Sequence, residues 1–314
     1  MIEWLDTALL FPGQGSQHVG MGASVAQAYP EARAVFEQAD ALLGESLSDL
    51  CWNGPEDALN DTFNTQPALY VTSIATLRAL EAALGDSVRP AFVAGHSLGE
   101  LTALTAAGAL PFEEGLMLVR ERGRLMRQAG ETNPGAMAAV LGLDTAQVRA
   151  ICELASTETG SPLVLANDNC PGQIVISGAA EALERGVTLA EEAGARRVVR
   201  LAVSIASHSP LMAPAQAAFA EAVAGVHWQA PVVPVVGNVT ARPLDTIPAI
   251  QEELAAQLTS SVRWTESMQY LLGAEITRFI EIGSGDVLSG LLKRIDRKAT
   301  RIAVNNAEAI ESLR

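Results

Sequence analysis

The sequence predicts an α/β fold with two parts: a large subdomain built on a parallel sheet, and a small mixed subdomain inserted into it. Three observations carry this. Short apolar runs (Thr7–Phe11, Pro90–Ala94, Arg278–Ile282) each end in a glycine-rich loop and alternate with helix-like stretches, as buried parallel strands do. From Gly135 to Ile205 the pattern changes to β-α-β-β-α-β, the ferredoxin-like order. Between an apolar run and a helix-like run stands Gly95-His96-Ser97-Leu98-Gly99, of the form G-x-S-x-G, the strand–turn–helix context of a nucleophile elbow. The large subdomain is therefore expected to be α/β-hydrolase-like. It is expected to take residues 1–132 and 206–314, and the ferredoxin-like one 133–205.

Composition narrows the function. The chain has 314 residues, nearly half of them hydrophobic (49%), which suits a sizeable core. No apolar run approaches the roughly 20 residues of a membrane span. The start, Met1-Ile2-Glu3-Trp4-Leu5-Asp6, has no basic segment of a signal peptide. A cytoplasmic protein is expected, with no membrane association. Cys51, Cys152 and Cys170 are odd in number and scattered, so neither a disulfide framework nor a metal site is expected. A net charge of −15 argues against nucleic acid as a partner.

The elements follow in order. Thr7–Phe11 delivers the loop Pro12-Gly13-Gln14-Gly15-Ser16-Gln17. Gln14, between glycines at the carboxyl end of a strand, could bring its backbone N–H close to a ligand, although such loops often only turn the chain. Residues 22–62 read as broken helices interrupted at Pro30 and Asn53-Gly54-Pro55. A long helix is expected over Ala68–Leu84, with Pro67 in its first turn and Asn64 or Thr65 as cap. After the elbow, a helix over about Phe112–Ala129 carries four arginines. Arg120, Arg124 and Arg127 share a face, whereas Arg122 points among apolar neighbours. A buried guanidinium needs an acidic partner, supplied equally well by the fold or by a ligand.

In the inserted part, strands are expected at Ala136–Leu141, Leu163–Asn167, Gln173–Ser177 and Arg197–Val203, with helices over Thr145–Ala155 and Ala180–Ala193. Asn167 and Asn169 read as turn residues of the middle hairpin. Ser204-Ile205-Ala206-Ser207-His208-Ser209-Pro210 then returns to the large part. Of the four histidines, His96 adjoins Ser97 on a tight turn, and His18 and His227 lie in loops elsewhere. By elimination His208, at the junction of the two parts, is the best base for Ser97, against the reading of a lone loop histidine. Val232–Val236 reads as a short strand that Pro234 assigns to a sheet edge. Thr246–Gln257 reads as a helix with an acidic side at Glu252-Glu253. A helix follows Trp264, Arg278–Ile282 is expected as the last strand, and Leu288–Ile295 as a helix beside a basic run.

Several motifs line up along the chain: Phe11-Pro12-Gly13-Gln14-Gly15-Ser16-Gln17, Thr65-Gln66-Pro67-Ala68, Gly95-His96-Ser97-Leu98-Gly99-Glu100, Arg122-Gly123, Ser207-His208 and Glu281-Ile282-Gly283-Ser284-Gly285. In this order they resemble the malonyl-CoA:acyl carrier protein transacylases of fatty acid synthesis and the acyltransferase domains of polyketide synthases, in the discrete form, over essentially the whole chain. The resemblance implies Ser97 as nucleophile and His208 as base. It implies the backbone carbonyl of Gln257 as the group orienting the histidine, and the backbone N–H groups of Gln14 and Leu98 as oxyanion hole. It implies Arg122 as the residue pairing with the malonyl carboxylate.

Further implied pocket residues are Gln66, His96, Asn167, Ile205 and Ser207. The resemblance implies no bound cofactor or metal: a coenzyme A thioester is the substrate, and the phosphopantetheine comes with the acyl carrier protein. Ser207 before His208 departs from the bulky residue of malonyl-specific polyketide relatives and matches the fatty-acid enzymes, so malonyl is expected, with tolerance for a 2-methyl branch. Because such carrier proteins are acidic, Arg196, Arg197, Arg200, Lys293 and Arg294 are expected to form a docking patch. A monomer is expected. The competing functions are an editing hydrolase that removes acyl groups from carrier proteins, a malonyl-loading subunit of malonate decarboxylase, and a non-enzymatic domain of the same fold.

Overall fold

The computed structural model describes residues 3–85, 88–201, 203 and 205–314. Met1, Ile2, Ala202 and Ser204, which figured in the reading of the N-terminus and of the stretch before His208, lie outside the described residues.

Two sheets organise the molecule. The larger contains β1 (Thr7–Phe11), β2 (Phe92–Gly95), β7 (Val235–Val236), β8 (Arg278–Ile282) and β9 (Thr300–Val304), in the order β7-β2-β1-β8-β9. All neighbours are parallel. All five residues of β1 are buried, which is why the strand reads as an unbroken apolar run. The smaller sheet contains β3 (Gly135–Leu141), β4 (Leu163–Cys170), β5 (Gln173–Ala179) and β6 (Arg197–Arg200). Its order is β4-β5-β3-β6, all antiparallel. Helices Thr145–Thr159 and Ala180–Glu192 pack on it around a core of Val140, Val148, Ile151, Leu183 and Val187. This is the expected ferredoxin-like arrangement.

Several expectations are corrected. Arg278–Ile282 is not the last strand: β9 follows it at the sheet edge, where exposed Thr300 and half-buried Arg301 mask the apolar signal. The Val232–Val236 strand shrinks to β7, an edge strand as Pro234 implied; the Pro234 carbonyl still accepts from Val93 N–H at 3.0 Å. The long helix starts at Thr62, capped by Asp61 rather than by Asn64 or Thr65, so Pro67 lies inside it. The Phe63 carbonyl, which the proline cannot satisfy, accepts from Arg120 Nη1 at 3.3 Å. Arg120 also covers the Phe63 ring at 3.6 Å, so of the three arginines read as one solvated face only Arg124 and Arg127 stay open to solvent. Strand β4 runs through Asn167 and Asn169, with irregular register on either side of Asn167; neither is a turn residue. Glu253 is buried, not part of a solvated acidic side.

Candidate active site

The carboxyl ends of β1 and β2 deliver the site. After β2 the chain turns at Ser97, whose φ of 52° and ψ of −106° lie where L residues are strained, and enters the helix Leu98–Ala106. The turn is possible because its flanks lack side chains: a Cβ on Gly95 would stand 1.8 Å from the Gly99 carbonyl oxygen, and one on Gly99 would stand 2.0 Å from that of Phe11. The loop after β1 presses on the same turn. A Cβ on Gly13 would meet the His96 carbonyl oxygen at 2.3 Å, and His96 N–H donates to Phe11 O at 3.0 Å. The backbone N–H groups of Gln14 and Leu98 have no acceptor among the described residues, and both residues line the same cleft. The Leu98 N–H also opens a helix, where the backbone favours negative charge.

His208 enters from the other side, at φ 58° and 3% exposed. Its Nε2 lies 2.8 Å from Ser97 Oγ. Its Nδ1 faces two carbonyl oxygens, those of Gln257 at 2.9 Å and Ser260 at 3.1 Å. Carbonyls only accept, so Nδ1 carries the proton and Nε2 is left as an acceptor for the serine hydroxyl. Burial, reinforced by the Arg122 guanidinium, pushes the imidazole down to about 3, so it is neutral at pH 7. Among the described residues no carboxylate bonds to it; a Ser–His pair oriented by backbone replaces a triad.

Arg122 brings the charge to the site. It is 1% exposed and makes no salt bridge among the described residues. Its donors meet neutral oxygens instead: Nη1 to Gln66 Oε1 at 2.9 Å, Nε and Nη2 to Gln257 Oε1 at 3.2 and 2.8 Å, and Nη2 to Ser97 Oγ at 3.0 Å. Burial lowers its pKa to about 10, with Glu100 opposing the fall, and it remains a cation at neutral pH. A buried cation with amide and hydroxyl partners is incompletely compensated, and a carboxylate presented beside Ser97 would complete it.

The cleft encloses about 510 Å³ between the two sheets and is walled by Gln14, His96, Ser97, Leu98, Arg122, Met126, Asn167, Asn169, Val175, Ser207 and His208. Gln66 stands behind it, reaching it through Arg122 and Met126. Ile205 is not on the wall: it packs against the Phe112–Thr132 helix at Gly130. His96 Nε2 is 2.8 Å from Asn169 Oδ1 and its ring packs beside Trp264, so it supports the elbow from behind. Of the basic residues, Arg294 bonds Gln173, Pro171 O and Gly172 O, beside the Gly142 turn that Arg196 adjoins. Arg200 is paired with Glu184, both side chains exposed, so its charge is offset locally.

Sequence reading missed Asn169 as a partner of His96. It also missed Asn238, Glu100 and Glu253, and the side chain of Gln257. Each meets partners far away along the chain, a relation that no local spacing marks.

Residues 8–308 match the family model described as acyl transferase domain. The chain belongs to the acyl transferase family. It is 45% identical over 304 residues to the malonyl CoA-acyl carrier protein transacylase of Bacillus subtilis, covering 97% of this chain and 95% of the relative. The crystal structure of an acyl-carrier-protein-S-malonyltransferase from Bartonella henselae matches with a TM-score of 0.95 at 43% identity, over 98% of each chain. A malonyl-transacylase solved in complex with its type II polyketide-synthase acyl-carrier protein matches with a TM-score of 0.93 at 40% identity, over 97% of each chain. This acyl transferase thus shares with them the two-sheet architecture described above.

Proposed function

We propose that this acyl transferase moves a malonyl group from malonyl-CoA to the phosphopantetheine thiol of an acyl carrier protein, through an ester on Ser97. The observation that carries this is the buried Arg122 guanidinium, hydrogen-bonded only to neutral groups (Gln66, Gln257, Ser97 and the Met126 sulfur) and 3.0 Å from Ser97 Oγ. A malonyl ester on Oγ places its free carboxylate one methylene beyond the ester carbonyl, within reach of that cation. A hydrolase of uncharged acyl chains has no use for it, which disfavours the editing reading.

The reaction is ping-pong. Ser97 Oγ attacks the thioester carbonyl while His208 Nε2 takes its proton. The oxyanion that forms is met by the N–H groups of Gln14 and Leu98. Collapse expels the coenzyme A thiolate, which takes the proton back from His208. In the second half the carrier's thiol loses its proton to His208, attacks the ester carbonyl, and Ser97 leaves with that proton restored. Gln257 O holds the imidazole tautomer throughout. No cofactor enters these steps.

Gln66, through Arg122, and the cleft residues His96, Asn167 and Ser207 shape the acyl site, and the small Ser207 leaves tolerance for a 2-methyl branch. Arg196, Arg197, Lys293 and Arg294 form the carrier-docking surface. Support comes from Gln173, which bonds Arg294 and also lines the cleft. The same reading places the subdomain borders at 132/133 and 205/206 and has the enzyme act as a cytoplasmic monomer.

The decisive experiment is intact-protein mass after brief mixing with malonyl-, acetyl- or methylmalonyl-CoA, for the wild type and Ser97→Ala. A malonyl adduct on the wild type alone is expected. Preferential acetyl loading would return the hydrolase reading, and a strong preference for methylmalonyl in direct competition would overturn the malonyl assignment.

A further inference from the structure

Ser97 sits in a backbone conformation that the elbow itself cannot hold. Its own N–H and the Gly95 carbonyl flank the strained residue, and neither has a partner in the strand or the following helix. Both are satisfied by one side chain 141 residues away. Asn238 Oδ1 accepts from Ser97 N–H at 2.7 Å, and Asn238 Nδ2 donates to the Gly95 carbonyl at 2.7 Å. The amide thus serves the turn as a neighbouring peptide would serve a strand, one acceptor and one donor in register. Asn238 is 1% exposed, so water does not compete.

The turn that presents Asn238 is itself held by two buried glutamates. Three successive backbone N–H groups point into them: Asn238 N–H donates to Glu100 Oε1 at 2.9 Å, Val239 N–H donates to Glu253 Oε1, and Thr240 N–H donates to Glu253 Oε2 at 3.2 Å. The other Glu100 oxygen accepts from Gln257 Nε2, which also donates to the Ser97 carbonyl at 3.0 Å. On the far side the Asn238 carbonyl accepts from Arg263 N–H at 2.8 Å. Burying two carboxyl groups side by side is costly: burial, reinforced by neighbouring Glu253, pushes Glu100 well above the usual carboxylate range, and the backbone N–H groups of the turn offset part of that cost.

We propose that Asn238 is a positioning residue for the reaction: it locks the strained Ser97 backbone, and with it the aim of Oγ at His208 and of the Leu98 N–H at the oxyanion, while Glu100 and Glu253 lock the turn that carries it. The proposal builds on Ser97 as nucleophile and is independent of which acyl group it takes. Asn238 does not line the substrate cleft, so removing the amide deletes no cleft contact. It frees the nucleophile to relax, and a misplacement of about 1 Å costs roughly 10²-fold in rate.

The test uses Asn238→Ala and the near-isosteric Asn238→Asp, whose second oxygen would oppose the Gly95 carbonyl. Two rates are read in the full chain: single-turnover malonylation, and labelling of Ser97 by a fluorophosphonate, which needs the Ser–His pair but no malonyl recognition. Malonyl-CoA Kd is read separately on the Ser97→Ala background with and without Asn238→Ala. Expected are losses of about 10² in both rates for both variants, with Kd unchanged within twofold. Rates within about threefold of wild type in the folded Asp variant, or a Kd that worsens as much as the rates fall, would overturn the proposal. Wild-type enzyme that takes the fluorophosphonate but no malonyl group would instead remove the malonyl reading and leave this inference standing.

Discussion

Arg122 Nη2 donates to Ser97 Oγ across 3.0 Å, so the cation proposed to read the acyl carboxylate and the atom proposed to carry the acyl group are in direct contact. The same hydroxyl lies 2.8 Å from His208 Nε2. The serine therefore has one neighbour that takes its proton and one that favours negative charge on and near it. Selection and activation are built on a single atom, and this contact organises the first prediction.

Arg122→Ala should lower kcat/KM for malonyl loading by about 10² or more, because charge-assisted bonds in a buried site are lost. Acetyl loading should fall far less, so the malonyl-to-acetyl ratio measured in competition should collapse. Arg122→Lys should not restore it, since a point charge cannot meet Gln66, Gln257 and a carboxylate in one plane. Retained selectivity in either variant would mean that another group reads the carboxylate.

Gln257 separates two roles within one residue. Its carbonyl orients His208, and its side chain holds Arg122 and the Ser97 carbonyl. Gln257→Leu keeps the first and removes the second. Malonyl KM should rise at least about tenfold, in line with the loss of the shared acceptor of two hydrogen bonds from a charged group, with acetyl loading little changed. An equal fall for both thioesters would show that the side chain supports the histidine instead.

The pH dependence follows from the buried imidazole. Its pKa lies at about 3 in the folded protein, against an unperturbed value of about 6.5. Loading by the free enzyme should therefore show no loss of base as pH falls from 7 to 5, where an ordinary histidine would be mostly protonated. A kcat/KM profile with a limb near 6.5 would contradict this. The stability consequence has a definite sign. Between about 6.5 and 3 the unfolded chain binds a proton that the folded one refuses, so this group's contribution is present above the unfolded value and is lost as pH falls through that window. Denaturant midpoints should show that decline for the wild type and less of it for His208→Gln.

Backbone donors cannot be deleted by substitution, but the Gln14 loop can be displaced. Gly13→Ala would drive a Cβ toward the His96 carbonyl oxygen, 2.3 Å away, and push the loop off the elbow. Loss of one oxyanion donor typically costs about 10²–10³ in rate. Acylation should fall by that order with malonyl-CoA affinity retained on a Ser97→Ala background. A rate within threefold of wild type would show that the Gln14 N–H does not meet the oxyanion.

Charge reversal at Arg196, Arg197 and Lys293 should raise the KM for carrier protein at least fivefold at low salt, and less at high salt, where exposed charges are screened. The malonyl-CoA half-reaction should stay within twofold. Arg200→Glu should do little, because Arg200 is already paired with Glu184. Equal changes in both half-reactions would remove the docking surface from this face.

The chain by itself determined the elements that depend on near neighbours. Gly95, Ser97 and Gly99 announce a strained turn because backbone sterics act over a few residues, β1 is legible because full burial makes it an unbroken apolar run, and the ferredoxin-like run because burial of one face imprints a period on the sequence. Arg122 could be set apart from Arg120, Arg124 and Arg127 by helical phase, and His208 by elimination. Only the tertiary structure decided what those groups face. Arg122 meets Gln257 across 135 residues, Ser97 meets His208 across 111, and Ser97 meets Asn238 across 141. Asn238 carries no signal of its own in the sequence, and Glu253 reads as part of a helix's acidic side, because nothing adjacent to them in sequence marks them. Their roles arise where the edge strand β7 and the Ile247–Gln257 helix pack beneath the elbow, and the cost of burying unpartnered polar groups there fixes which side chains must meet.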